Sequence, residues 1–287
     1  MGNRRSYDLA LLAALLVSLV LFVLPLFFFL RQSFYENLGM GLVGDTPSLR
    51  NYADILTDPF YLGVFWRTTR LSAVAALIGL CIAYPTAYVL ARSRSSFVRG
   101  LIVLLLITAF VSIIVKVLGL TVLMGSQGPI ATLLRSLTGS SASMLHNEFA
   151  VAVGLVQYSL PLLVMLLFGV IQTIPRSLEE AAAVGGASDW RLMRRVLLPL
   201  SFNGMITAGL IAFNMNMGAF TSAVLLGGGN VLTVPVLIQR KIVLDVDYPV
   251  AAALAVLLSL GVFGINVGVA TLRRSPTGAS RMRRATA

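Results

Sequence analysis

The chain has 287 residues, of which 57% are apolar and only 11% are charged, and its mean hydropathy is +0.90. Soluble chains run about 45–50% apolar and about 25% charged, so the composition excludes a soluble enzyme, a disordered tail and a disulfide scaffold and points to a membrane protein. Cys81 is the only cysteine and His146 the only histidine, which excludes an internal disulfide, a thiolate metal cluster and any zinc motif built on two histidines. The net charge of +11 does not signal nucleic acid. The basic residues are almost all arginines, and they fill short gaps between long apolar runs. A nucleic-acid groove would need a continuous basic stripe with interleaved aromatics.

A bilayer core needs about 20 mostly apolar residues per helix. Six runs satisfy this: 9–30, 71–91, 101–124, 149–174, 200–226 and 250–272. The first run is charge-free, longer than a signal peptide, and continues into Phe27-Phe28-Phe29 with no small-residue cleavage site. It is expected to stay as a helix. The segment 31–70 reads as a long polar loop, with turn signals at Gly39, Gly41, Gly44, Pro47 and Pro59. A tight loop at 92–100 follows the second run. Lys116 is the only interruption of the third. The segment 125–147 is rich in Gly and Ser, including Gly139-Ser140-Ser141, and carries His146 as an expected solvated loop residue. Gly227-Gly228-Gly229 is expected to turn the chain after the fifth run.

Counted on alternate sides, 14 Lys and Arg fall with the two termini and 7 on the other face. That bias places both termini in the cytoplasm. The other face also carries Glu36, Asp45, Asp54, Asp58, Glu148, Asp245 and Asp247, which bring its net charge near zero. The expectation is an all-α membrane protein, one transmembrane domain over 1–287 with six helices. No internal repeat is visible, so an inverted-repeat secondary transporter gains no support. A secondary transporter or channel remains the alternative class. A polytopic enzyme is disfavoured because no nucleophile–base pair stands out.

The inner loop 175–198 carries the strongest signal. Pro175 ends the fourth run. Ser177 and Glu180 have the spacing of a capping box that opens a short helix. Ala181–Ala183 favour helix. Gly185 and Gly186 stop it, one of them in a left-handed conformation where a Cβ is expected to clash. Ser188 and Asp189 suit the start of a second helix running to about Leu198, and Pro199 starts the fifth run. Two short helices thus meet at a glycine hinge.

The spacing Glu180-Ala181-Ala182, three residues, Gly186, nine residues, Val196-x-Leu198-Pro199 resembles the EAA signature of ABC-importer permeases, with Val in place of Ile. The likeness extends from about Ser48 to the end of the sixth run. Ala83-Tyr84-Pro85-Thr86-Ala87-Tyr88 with Ala91-Arg92, Phe110 to Lys116, Gly218-Ala219-Phe220 with Leu225 to Gly228, and Tyr248-Pro249-Val250-Ala251 are similar to the spermidine/putrescine-like group. The resemblance implies a type I ABC-importer permease fold in the bacterial inner membrane. It implies a second, related permease chain, an ATP-binding cassette ATPase dimer, and a periplasmic or lipid-anchored solute-binding protein. Glu180, Ala181, Ala182, Gly186, Leu198 and Pro199 would then form the ATPase-coupling loop.

This chain holds no ATP-binding motif: neither Lys116 nor Lys241 follows a glycine, as a phosphate-cradling loop needs. ATP and Mg are expected on the partner ATPase, with no cofactor or metal in this chain. Ionisable and polar groups inside spans are candidates for the solute pathway. These are Lys116, Gln157, Tyr158, Asn214 and Asn216. For Lys116 the alternative is a helix-pinning contact with a backbone carbonyl, and for the others it is interhelical hydrogen bonding. The group resemblance implies a polyamine or another small solute, and Glu148, Asp245 and Asp247 at the outer mouth are candidates to receive a cation.

Overall fold

The computed structural model describes residues 3–39, 41–93, 95–138 and 144–274. Of the residues weighed above, Arg94, Arg281, Arg283, Arg284 and Gly139-Ser140-Ser141 lie outside these. In chain order the elements are α1 (Asn3–Gln32), β1 (Tyr35–Gly39), β2 (Leu42–Pro47), α2 (Arg50–Thr57), α3 (Pro59–Arg92), α4 (Ser96–Phe110), α5 (Ile113–Met124) and α6 (Pro129–Thr138). There follow α7 (Glu148–Gln172), α8 (Arg176–Val184), α9 (Asp189–Leu192), a π-helical turn (Met193–Leu197), α10 (Leu198–Met217), α11 (Thr221–Gly227), α12 (Val234–Val243) and α13 (Tyr248–Arg274). Among the described residues, six helical segments are long and apolar enough to cross a membrane: Leu15–Gln32, Pro59–Arg92, Ile113–Leu133, Glu148–Gln172, Asp189–Met217 and Tyr248–Arg273.

Two of the six expected spans are not single helices. The run 101–124 breaks at Val111 and Ser112, which adopt extended backbone (ψ 134° and 133°). The β-branched Ile113-Ile114-Val115 that follow are weak helix formers. The segment of spanning length starts at Ile113 and passes through the Gly125–Gly128 turn into α6, in a stretch the sequence marks only as a loop. The run 200–226 breaks after Met217, where Gly218 leaves the helix and Ala219 N–H turns back to Asn216 O at 3.1 Å. The segment 31–70 also holds more regular structure than expected. It holds an antiparallel hairpin (β1 with β2), α2, and the start of α3 twelve residues before Leu71. A purely helical description therefore misses one small two-stranded sheet.

The chain divides into two compact units, Met1–Phe65 with Val236–Ala287, and Trp66–Pro235. In the first, α1 packs along α13 and presents Leu21 and Phe22 at 70% exposure. A helix this apolar all round is stable only in lipid or in a partner's apolar face. Asn51 of α2 ties the hairpin to it, donating to Ser33 O and Tyr35 O at 3.1 and 2.8 Å, with Ile55 buried beneath.

In the second unit, α7 is the central helix. Asn147 caps it, its side chain accepting from Ala150 N–H at 2.8 Å. Helices in lipid gain stability by close approach at small residues. A Cβ at Gly154 would lie 2.4 Å from Leu226 of α11, and one at Gly204 of α10 would lie 2.5 Å from Val170. These glycines set how tightly α10 and α11 pack on α7.

Candidate functional site

The segment after α7 forms an elbow of two short helices. Pro175 occupies the N-cap of α8, with Leu178 N–H bonding its carbonyl at 3.3 Å. The Ser177–Glu180 capping box does not form, because the helix already begins at Arg176 and Ser177 lies inside it. Proline's fixed φ suits a helix entrance and displaces the start by two residues.

Helical twist then separates the neighbouring glutamates. Glu180 is exposed, as is Ala181, while Ala182 is half-buried. Glu179 turns back toward the spans. Its Oε1 lies 2.5 Å from Arg92 Nη2, each side chain only 14% exposed, and its Oε2 accepts from Tyr88 OH at 3.3 Å. Arg92 also donates to Ile174 O at 2.9 Å, and Arg176 donates to Ala91 O and Arg92 O at 3.4 and 3.3 Å. The Arg176 guanidinium thereby serves the last carbonyls of α3 and complements the helix dipole. The elbow is strapped to the end of α3. Glu179 escaped the sequence reading. The signal that points to it is the Glu-Glu pair on one short helix, since adjacent residues point roughly 100° apart and cannot both face the same way.

The hinge is a Schellman turn. Ala187 N–H bonds Ala182 O and Gly186 N–H bonds Ala183 O, both at 3.0 Å, and Gly186 has φ +74°. The expected left-handed glycine is Gly186. The expected Cβ clash is absent, because a Cβ there would meet nothing within 4 Å; only the backbone conformation restricts the position. Ser188 sits at the N-cap of α9 without a side-chain cap bond. The second helix does not stop at Leu198. It runs into α10 through the π-helical turn, in which Leu198 N–H bonds Met193 O. Pro199 has no N–H to offer and its ring would strike the carbonyl four residues back, and one widened turn accommodates both defects. Tyr84 OH and Ser201 Oγ, 2.9 Å apart, join α3 to α10 just beyond it. Leu178, Val184 and Trp190 remain 42%, 91% and 72% exposed on this polar elbow.

The polar span residues are dispersed. Lys116 is half-buried on α5, and its Nζ donates to Thr108 O at 3.1 Å, across the break from α4. Gln157 and Tyr158 are half-buried on α7 and Asn214 on α10. Asn216 is 2% exposed and borders a small internal cavity. Glu148, Asp245 and Asp247 are already engaged, so none is a free receptor for a cation. Glu148 pairs with Arg70 and, at 3.3 Å, with Arg67. Asp245 lies 2.9 Å from Lys241 Nζ. Burial, the largest influence on Lys241, lowers its pKa, but the Asp245 bond and the nearby Tyr61, Asp245 and Asp247 outweigh it and hold the ammonium above the ordinary lysine value. Asp247 accepts from Val250 N–H at 3.2 Å at the start of α13. His146 is exposed, as expected, with φ +63° and its ring against Gly228, and Gly228 and Gly229 turn the chain with positive φ.

Residues 75–275 match the family of binding-protein-dependent transport system inner membrane components, and the chain belongs to it. It is a permease subunit of an ABC importer and a multi-pass inner-membrane protein. Among relatives, it is 31% identical over 252 residues to the spermidine/putrescine transport system permease protein PotB of Haemophilus influenzae, covering 85% of this chain and 88% of that one. It is 29% identical over 220 residues to the molybdenum transport system permease protein ModB of Mycobacterium tuberculosis, covering 76% and 82%. A chain of the bacterial alginate ABC transporter, solved in complex with an alginate pentasaccharide-bound periplasmic protein, shares the fold with a TM-score of 0.78 at 18% identity, covering 96% of each chain.

Proposed function

We propose that the elbow 175–198 lies in the cytoplasm and docks into a groove on an ATP-binding cassette ATPase. Two such subunits, carrying the ATP and Mg, hydrolyse the nucleotide. A second, related permease chain completes the pore, and a periplasmic or lipid-anchored solute-binding protein delivers the solute. The observation that carries this reading is surface left exposed on an elbow that is itself anchored. Glu179 and Arg176 fasten α8 to α3. Glu180 stays exposed on the same helix, as do Leu178 and Val184, and so does Trp190 on α9, which leaves apolar surface for a partner to cover. Closure of the ATPase pair then moves the elbow, and the strap carries that motion into α3 together with α7 and α10.

The solute is proposed to be a polyamine. Support comes from the PotB likeness over most of the chain. On this reading charge recognition falls chiefly to the solute-binding protein, since Glu148, Asp245 and Asp247 are engaged, and Gln157, Tyr158, Asn214 and Asn216 are candidates for polar contacts along the pathway, whereas Lys116 serves Thr108 O.

The test is uptake of labelled spermidine and putrescine by cells carrying variants of the elbow. Glu180→Ala removes an exposed carboxylate and leaves the strap intact. Gly186→Val forces a β-branched residue into the left-handed region, at a cost of about 1–2 kcal/mol, too little to unfold six membrane helices. Both variants are expected to stay in the membrane at normal levels, to lose at least about tenfold in uptake, equivalent to about 1.4 kcal/mol, and to hold the ATPase weakly. Normal uptake by both would reduce the elbow to a structural turn.

A further inference from the structure

The second unit encloses a cavity of about 10 Å³ beside the joint between α10 and α11. Its polar lining is Thr68 and Ser72 from α3, Asn216 from the end of α10, and Thr233. Val151 and Leu155 of α7 close its apolar side. Ser72, Asn216 and Thr233 are 0%, 2% and 4% exposed. The Ser72 hydroxyl, both ends of the Asn216 amide and the Thr233 hydroxyl find no hydrogen-bond partner in the protein. Thr68 Oγ1 accepts from Val234 N–H at 2.9 Å, which fixes the neighbouring backbone. Buried polar side chains are nearly always satisfied by protein or by ordered water. Three unsatisfied residues around one cavity are a pattern, not an accident of one rotamer.

From this geometry we infer that the cavity is a binding site for a single water molecule, bridging Ser72, Asn216 and Thr233. Size and chemistry agree. A water needs about 10–15 Å³ of such space and two to four polar partners. The lining supplies two hydroxyls, an amide oxygen and an amide N–H, so a water can both donate and accept. No charged side chain lines the cavity, so nothing there balances a buried cation, which would carry a large desolvation penalty. The consequence is structural and directional. The α10–α11 joint, where Gly218 ends the helix, is held to α3 in part through this water. This inference does not depend on how the elbow engages its partner.

The sign of a stability change tests it. Thr233→Val and Ser72→Ala remove hydroxyls at little change in shape, and are made in the full chain within its purified complex. If the hydroxyls hold a water, each substitution takes away a partner and the melting temperature falls. If the cavity is dry, each substitution removes an unsatisfied group and the melting temperature stays or rises, and the inference fails. An experimental map at high resolution gives the second readout. The expected result is one density peak within hydrogen-bond distance of all three side chains. Side chains rotated into direct bonds with one another, with no peak, would overturn the proposal even if the melting temperature falls. Melting in sodium, potassium and choline chloride supplies the last arm. Equal temperatures are expected, and a rise specific to one metal cation would replace the water with an ion.

Discussion

Glu179 and Glu180 stand side by side on α8 and face different ways. The first is paired with Arg92 inside the fold and the second is exposed. Removing one partner of a buried ion pair costs about 3–5 kcal/mol, because the other charge stays behind. Glu179→Arg alone and Arg92→Glu alone are therefore expected to lower the amount of assembled transporter and its uptake. The exchange Arg92→Glu with Glu179→Arg restores opposite charges at one contact and is expected to recover part of both. A double variant no better than the worse single one would show that the pair is not the strap. The Lys116 ammonium covers Thr108 O, a carbonyl left open by the break at Val111 and Ser112. Lys116→Met should lower thermal stability by about 1.5–3 kcal/mol, the range for a hydrogen bond to a charged group, while keeping most polyamine uptake. Loss of uptake with unchanged stability would return Lys116 to the solute pathway.

Hydropathy locates helices of spanning length, and it located the regions of all six here, because the requirement of about 20 apolar residues is severe. It does not locate breaks. Val111-Ser112 and Gly218-Ala219-Phe220 are as compatible with the bilayer as the residues around them, and their extended or turned backbone is stabilised by tertiary partners such as Lys116 that lie several residues away. The hairpin 35–47 was hidden for a related reason. Its glycines signalled turns, but the pairing of Tyr35 with Pro47 and Asn37 with Val43 is irregular and leaves no alternating pattern in the sequence. The elbow was the most legible element. Its spacing signals a left-handed glycine stop at Gly185 or Gly186, and the positive φ falls on Gly186. The start of α8 is harder to read, since Ser177 with Glu180 satisfies the capping pattern while Pro175 takes the N-cap. The sequence suggests a second helix ending near Leu198 and a new start at Pro199, because a π-helical turn that tolerates the proline carries no local signature.

The charge bias over six spans predicts an orientation that can be measured. Reporter fusions after Arg191 and Arg273 should report the cytoplasm, and those at Asp45 and Asp245 the periplasm. A cytoplasmic signal at Asp45 would contradict the six-span order. Docking of an ATPase on the elbow can be tested directly by crosslinking. Cys81 is the only cysteine, so a Cys81→Ser chain gives a clean background for single-cysteine labelling. In that background Val184→Cys, at a position 91% exposed on the elbow, carries a short photo-crosslinker in the assembled transporter. Leu38→Cys, on the exposed hairpin, serves as the control from the opposite predicted face. The account predicts an adduct joining the Val184→Cys chain to the ATP-binding subunit and none from Leu38→Cys. An intact, active complex in which Val184→Cys never joins that subunit, or in which Leu38→Cys does, would contradict it.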